Sequence, residues 1–172
     1  MSGSTAKDEA RGAADPHAAP LKLEEFLPYR LNVVASLVSQ ALSRIYVDRY
    51  GIGVPEWRIL VTLGEFETMT AKAVGAHSHM HKTKVSRAVG TLESRKLIVR
   101  RENRADRREA FLSLTPAGRA IYHDLAPGAL EFARHLFETI DPADRAAFER
   151  AVTRLTEQSR MLTAAAGTKT AK

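Results

Sequence analysis

The spacing of apolar residues changes once along this chain, and the change restricts the folds that the chain can adopt. As far as Lys96, apolar residues recur every three or four positions, which is the period of helices that pack one side on a core. After Lys96 the period shortens to about two, so the segments 97–102 and 109–114 are interpreted as strands joined by the polar loop 103–108. The sequence therefore predicts a mainly α fold with a small two- to three-stranded antiparallel β-wing.

Start and stop signals divide the helical part of the chain. The first predicted helix is long and stops at Gly51-Ile52-Gly53. Thr115-Pro116 combines an N-cap hydroxyl with a proline at the first helical position, and Asp141-Pro142 repeats this signal. We expect a bend at Pro127-Gly128, within the fifth helix. The predicted helices cover about 23–50, 55–67, 70–78, 81–96, 116–139 and 142–162.

Positive charge is concentrated in the segment 71–108, which we call the basic segment. It holds eleven Lys or Arg and three Asp or Glu, a net charge of +8, whereas the whole chain of 172 residues carries only +6. A basic surface beside a polyanion displaces condensed counterions, which favours binding to nucleic acid. The sequence therefore predicts a DNA-binding protein whose contact surface is confined to one region.

The predicted fourth helix has two different sides. Val85, Val89 and Leu92 lie on one side and suit the core. The opposite side carries polar groups of the kind that hydrogen-bond to phosphates and to base edges in the major groove. A solvated basic helix is the alternative, and the neighbouring hairpin argues against it. The candidate DNA-binding residues on this side are Lys82, Thr83, Lys84, Ser86, Arg87, Thr91 and Arg95.

The hairpin loop is a second candidate contact. An arginine at the tip of a hairpin can enter a narrow minor groove, where the electrostatic potential is strongly negative. Arg104, Arg107 and Arg108 are candidates for this contact, and we expect Asp106 to hold a neighbouring guanidinium in place. The alternative is a charged turn that serves only solubility.

Helix, turn, helix and hairpin follow one another in the order of a winged helix-turn-helix, and the sequence resembles the MarR family of bacterial transcription regulators. The resemblance spans about residues 23–162, with departures at Gly75, Ser78 and His81. Three segments resemble the family's wing, namely Leu97-Ile98-Val99-Arg100-Arg101, Asp106-Arg107-Arg108 and Leu114-Thr115-Pro116-Ala117-Gly118. The family's second helix is resembled by Pro55-Glu56-Trp57-Arg58-Ile59-Leu60. Its recognition helix is resembled by Val85-Ser86-Arg87 with Leu92-Glu93.

The resemblance implies an obligate homodimer that acts as a repressor at a pseudo-palindromic operator. Two recognition helices about 34–36 Å apart would read the two half-sites. The apolar stripes within 27–45 and 148–162 support a dimer independently, because a small winged domain could not cover them. The implied division is a helical dimerisation lobe of residues 21–54 and 116–162, a winged helix-turn-helix DNA-binding lobe of 55–115, and disordered tails at 1–20 and 163–172.

The resemblance also implies an effector that releases the protein from DNA, namely a small aromatic carboxylate or its CoA thioester. Two of the candidate effector residues have an alternative role. Trp57 could instead be part of the core, and Arg30 could instead be a surface arginine whose stem covers apolar groups. A constitutive architectural DNA-binding protein, without an effector, is the alternative function. The candidate effector-binding residues are Arg30, Ser36, Tyr46, Trp57, Arg58 and His123.

Other classes of protein are disfavoured by what the sequence lacks. The chain has no cysteine, which excludes disulfides and thiolate metal sites. His77 and His81 have a spacing used for zinc, but a predicted turn separates them, and we place His79 and His81 near phosphate instead. No phosphate loop, nucleophile elbow or paired carboxylates indicate an enzyme, and no cofactor is expected. No signal peptide or membrane span is found, so we expect a cytoplasmic protein.

Overall fold

A computed structural model describes residues 20–102 and 109–169 of the chain. The described part is mainly helical and has one three-stranded antiparallel sheet, which confirms the predicted fold class. The elements are α1 Leu27–Tyr50, α2 Val54–Phe66, β1 Thr68–Thr70, α3 Ala71–Ser78, α4 Lys82–Ser94, β2 Ile98–Glu102, β3 Ala110–Leu114, α5 Pro116–Phe137 and α6 Pro142–Lys169.

The sheet has the strand order β1-β3-β2, and both pairings are antiparallel. Leu112 in the central strand pairs with Met69 of β1 on one side and with Arg100 of β2 on the other. The predicted hairpin of β2 and β3 is therefore present. The third strand, β1, is only three residues long, which is too short to show a period in the sequence.

Side-chain caps explain where three of the helices begin. Thr70 accepts a hydrogen bond from the backbone N–H of Ala73 at the start of α3, at 3.1 Å. Thr115 caps α5 in the same way, which matches the predicted Thr115-Pro116 signal. Asp141 accepts from the N–H of Ala143 at 2.8 Å and caps α6. Each cap satisfies a backbone donor that the helix itself leaves free.

One helix differs in extent from what the sequence predicts. α5 covers Pro116–Phe137, close to the predicted 116–139, and it runs through Pro127, where we expected a bend, as one helix. α6 reaches Lys169, although the sequence led us to expect a disordered tail from about residue 163. Ala164, Ala165 and Ala166 account for this extension, because alanine has the highest helix propensity and the helix is already formed when it reaches them. The predicted N-terminal tail lies outside the described residues except for Pro20.

The chain divides into two compact units, residues 1–41 and 42–172, and the buried core lies in the second. α2 contributes Ile59, Leu60 and Leu63, all with 0% of their surface exposed. These side chains pack with the buried side of α4 and with Leu112 of the central strand. None of the helices in the described ranges has the length and apolar character needed to cross a membrane.

Two glycines of this fold give a matched test of the packing. A Cβ added at Gly90, in the middle of α4, would meet no atom within 4 Å, whereas one added at Gly118 would overlap the carbonyl oxygen of Leu97. We expect Gly90→Ala to raise the free energy of unfolding by about 1 kcal/mol, because alanine favours the helix. We expect Gly118→Ala to lower it by roughly 2 kcal/mol or more through backbone displacement. Urea unfolding followed by the fluorescence of the single tryptophan measures both, and a destabilised Gly90→Ala variant would contradict this description of α4.

Candidate nucleic-acid interface

A tight turn joins α3 to α4. His79 adopts a left-handed conformation with φ of 52°, and the backbone N–H of Met80 donates to the carbonyl of Gly75 at 3.0 Å. A Cβ on Gly75 would lie 3.2 Å from Val85 and 3.3 Å from the carbonyl oxygen of Met80, closer than most such contacts. Glycine at this position therefore allows α3 and α4 to pack closely, which accounts for one departure from the family pattern.

The imidazole of His81 caps the start of α4. Its Nδ1 accepts a hydrogen bond from the backbone N–H of Thr83 at 3.3 Å, so His81 takes the place of the usual Ser or Thr. His77 lies in α3 and packs its ring edge-on against Phe66, at a centroid distance of 4.8 Å. Within the described residues, no three His, Asp or Glu side chains form a group that could hold a metal ion.

The two predicted sides of α4 are observed. Val85, Val89 and Leu92 are exposed by 3%, 1% and 0%, so this side faces the core. The residues of the predicted polar side are all exposed, namely Lys82, Thr83, Lys84, Ser86, Arg87, Thr91 and Arg95. α4 thus presents a polar, basic surface to solvent from a rigid support.

Acidic side chains around this surface are neutralised within the protein. Glu93 of α4 forms two hydrogen bonds with the guanidinium of Arg100 of β2, at 3.0 and 2.9 Å. Glu109, just before β3, lies 3.7 Å from the ammonium of Lys72 in α3. Lys82 and Lys84 form no ion pair with any residue that the structure describes. Among the described residues, the ammonium groups of Lys82 and Lys84 are therefore not offset by an ion pair.

The Glu93–Arg100 pair also fixes the wing strand to α4. The hydrogen bond from Arg100 lowers the pKa of Glu93 below its ordinary value, against a smaller opposing effect of burial, and Glu93 in turn raises the pKa of Arg100. The pair therefore stays ionised at neutral pH. Both side chains remain partly exposed, so the pair stabilises the fold by at most about 1 kcal/mol. Its main effect is to hold β2 and α4 in one orientation.

One of the predicted DNA-facing hydroxyls is already engaged. Thr91 Oγ1 donates to the carbonyl of Arg87 at 3.1 Å, one helical turn earlier. In this rotamer the only hydroxyl proton is already engaged in that bond, so the oxygen can accept a hydrogen bond from a base amino group but the hydroxyl cannot donate to a phosphate. Thr91 is thus suited to base contacts more than to backbone contacts.

Arg95 has a different environment from the other basic residues of α4. Its guanidinium donates to the backbone carbonyls of Tyr50 and Gly51, at 2.7 and 3.3 Å. These carbonyls end α1, where Gly51 has a positive φ of 56°. The assignment of Arg95 to the DNA-facing set is therefore at odds with its contacts, because its donors are directed at the end of another helix. The sequence contains no short-range signal that would pair it with Tyr50.

The predicted wing contacts fall in the segment 103–108, between β2 and β3. Arg104, Asp106, Arg107 and Arg108 lie outside the residues that the structure describes. The strands on either side of the tip are described, and they pair from Ile98 with Leu114 to Glu102 with Ala110. The strands therefore bring Glu102 and Ala110, on either side of that segment, next to each other.

The candidate effector residues of the second unit have structural contacts. Trp57 is 6% exposed and stacks on Tyr46 at a centroid distance of 5.0 Å, which confirms its place in the core. Burial raises the pKa of the Tyr46 phenol, and the nearby Arg58 opposes this shift. Arg58 also donates to the carbonyl of Ser78, the last residue of α3, at 3.4 Å. His123 is exposed on α5.

The two candidates in the first unit are both exposed on α1. Ser36 donates its hydroxyl proton to the carbonyl of Asn32, at 2.8 Å. Arg30 is exposed, and its backbone N–H donates to Phe26 as α1 begins. Among the residues that the structure describes, neither position has burial or charge pairing that marks it as a binding residue by itself.

A cavity of about 640 Å³ lies beside α4, between α3 and the hairpin. Its wall includes the cations Lys72, Lys82 and Arg100, together with Ser86 and Glu109. None of the six candidate effector residues contributes to it. We did not predict this cavity from the sequence, because its lining comes from five elements that only the fold brings together.

The N-cap of α4 gives a testable prediction. We expect His81→Ala to lower the free energy of unfolding by about 0.5–2 kcal/mol, because the N–H of Thr83 loses its acceptor. We expect His81→Ser to restore stability to the wild-type level or above, since serine is a stronger cap. Urea unfolding measures both variants. Equal stability of His81→Ala and wild type would show that the imidazole does not cap the helix.

Comparisons with known proteins agree on one family. The model of the MarR family matches residues 50–109, from the end of α1 to the residue before β3. The uncharacterised HTH-type transcriptional regulator YsmB of Bacillus subtilis is 24% identical over 136 residues, which cover 79% of this chain and 92% of YsmB. These relatives are transcriptional regulators and not enzymes.

Solved structures show the same fold. A MarR-family regulator from Silicibacter pomeroyi is 26% identical with a TM-score of 0.66, over 78% of this chain and 90% of that one. BpsR of Bordetella bronchiseptica is 21% identical with a TM-score of 0.71, over 80% of this chain and 98% of that one. The DNA binding of BpsR is regulated by 6-hydroxynicotinic acid.

Proposed function

Because the chain belongs to the MarR family of transcriptional regulators, we propose that it is a repressor that binds a pseudo-palindromic operator as a homodimer and leaves it when a small aromatic acid binds. The observation that carries the proposal is the exposed basic side of α4, held outward by a buried apolar side. α4 is then the recognition helix, whose N-terminal residues lie at the base edges of the major groove.

The residues of α4 divide into two roles in this proposal. Arg87 lies one turn into the helix and has a guanidinium suited to the two acceptors of guanine, so it reads sequence. Lys82 and Lys84 lie in the first turn, where they reach phosphates and contribute affinity that does not depend on sequence. Arg107 at the hairpin tip would enter the adjacent minor groove.

A second copy of the chain is the partner that the proposal requires. The proposed dimerisation lobe consists of residues 21–54 and 116–162, and the observed length of α6 extends it to Lys169. On α6, Phe148, Val152 and Leu155 are each exposed by 41–44%, although they are large and apolar. On α1, Leu27 and Val34 are exposed by 52% and 55%. A monomer seldom leaves so many apolar side chains in water, and a second copy would cover them.

The proposed effector is an aromatic carboxylate or its CoA thioester. BpsR, whose fold the chain shares, responds to such an acid. Besides the six residues inferred from the sequence, the cavity beside α4 has Lys82 in its wall, a cation that could pair with a carboxylate because it forms no ion pair with the described residues. Whichever place it occupies, the effector must bind the DNA-free form more tightly, because only a difference in affinity shifts the equilibrium.

Two variants test the assignment of α4. We expect Arg87→Ala to lose about 1–3 kcal/mol of discrimination between an operator and scrambled DNA, since it removes a bidentate base contact. We expect Arg107→Ala to weaken binding to all duplexes alike. Arg154→Ala, in α6, is the matched control and should bind like wild type. Competition gel shifts on a duplex selected from a random pool measure all three, and full discrimination by Arg87→Ala would refute the assignment.

A titration separates the regulator from a constitutive architectural protein. The wild-type protein is bound to its selected duplex, and 6-hydroxynicotinic acid and benzoic acid are added at constant ionic strength. We expect at least one aromatic acid to release DNA, while acetate at the same concentration does not. An architectural protein would respond to salt alone and to none of the acids.

A further inference from the structure

Arg95 joins the last turn of α4 to the end of α1. Its Nη2 donates to the carbonyl of Tyr50 at 2.7 Å and its Nη1 to that of Gly51 at 3.3 Å. The last carbonyls of a helix have no partner within the helix and carry the negative end of its dipole, so a cation placed there is stabilised. The rigid fork of a guanidinium suits two neighbouring carbonyls better than a single ammonium does.

Tyr50 is held from a second side by α5. Its hydroxyl donates to Asp124 Oδ2 at 2.7 Å, and Arg49 lies 2.9 Å from the same oxygen. The guanidinium of Arg49 also lies over the Tyr50 ring, 5.7 Å from its centroid. Three helices therefore meet at one residue, with α4 bonded to its backbone and α5 bonded to its side chain.

This arrangement gives Arg95 a role that its charge alone does not suggest. For Arg95 to contact a DNA phosphate, the guanidinium would have to leave two carbonyls that have no replacement donor among the contacts described at the end of α1. Both bonds lie at an exposed surface, where water could replace the guanidinium, but the two charge-assisted bonds that join α4 to the end of α1 would be lost. The position is thus better suited to holding α4 than to binding DNA.

We propose that Arg95 is a positioning residue, which fixes the direction of α4 relative to the end of α1, and that Tyr50 and Asp124 extend this joint to α5. The proposal rests on the proposed function, because it concerns how α4 meets an operator. α1 and α5 belong to the lobe proposed to pair with a second copy. The joint would therefore set how the two α4 helices of a dimer are spaced, which matters on a complete operator and not on a single half-site.

The experiment compares Arg95→Ala and Arg95→Lys with wild type on three duplexes, namely the selected complete site, one half-site and a scrambled sequence. Lysine keeps the positive charge, so it would preserve a phosphate contact, but it lacks the planar fork. We expect both variants to bind the complete site roughly tenfold more weakly, a size typical of coupling between sites. Binding to the half-site and to scrambled DNA should stay at the wild-type level.

Salt dependence gives a readout that a general loss of stability would not produce. For a positioning residue, the slope of log K against log salt stays at the wild-type value in both variants. For a phosphate contact, the slope in Arg95→Ala falls by about 1. Tyr50→Phe, which removes only the hydroxyl bond to Asp124, should weaken the complete site by roughly fivefold with no change in slope.

The outcomes separate this proposal from the proposed function. A reduced slope in Arg95→Ala with full binding by Arg95→Lys would show that Arg95 contacts DNA. Wild-type binding by both variants would show that Arg95 neither contacts DNA nor positions α4. Either result overturns the proposal. Wild-type binding by Tyr50→Phe would remove α5 from the joint. If the wild-type protein selects no sequence at all, the proposed function fails before the variants are compared.

Discussion

The burial of one side of α4 is the constraint on which the rest of the structure depends. Val85, Val89 and Leu92 belong to the buried core, where α4 packs against α2, α3 and β2, and this packing fixes the rotation of the helix about its axis. A rotation by one residue, about 100°, would place a lysine or a serine in the core. Because that is costly, the basic side can point only outward, and the same packing makes it rigid enough to read a groove.

The positive charge of the basic segment serves two purposes that its total does not reveal. Lys72, Arg95 and Arg100 are directed at carboxylates or carbonyls of the protein itself and hold α1, α3, α4 and the hairpin together. Lys82 and Lys84 remain for an external partner. The internal pairs neutralise carboxylates that would otherwise weaken the positive potential around Lys82 and Lys84. The internally bonded cations therefore orient the surface, and the two lysines supply its attraction for a polyanion.

The sequence predicted those parts that depend on local patterns. The faces of α4 follow from helical spacing, the hairpin follows from the change of period after Lys96, and the start of α5 follows from Thr115-Pro116. Contacts between distant residues left no such pattern. The bond from Arg95 to Tyr50 crosses 45 positions, and the cavity beside α4 is formed by residues from five elements. His81 as a cap was missed because histidine is not a common capping residue.

Placement of α4 at DNA can be measured directly, because the chain contains no cysteine and a single one can be labelled without side reactions. An iron chelate that generates hydroxyl radicals would be attached through Ser94→Cys, at the exposed end of α4. The control label would be attached through Glu157→Cys, on the side of α6 away from Phe148, Val152 and Leu155. With Ser94→Cys we predict DNA cleavage in two patches about 10–10.5 base pairs apart, one for each subunit of a dimer. Uniform cleavage, or the same pattern from both labels, would contradict the account.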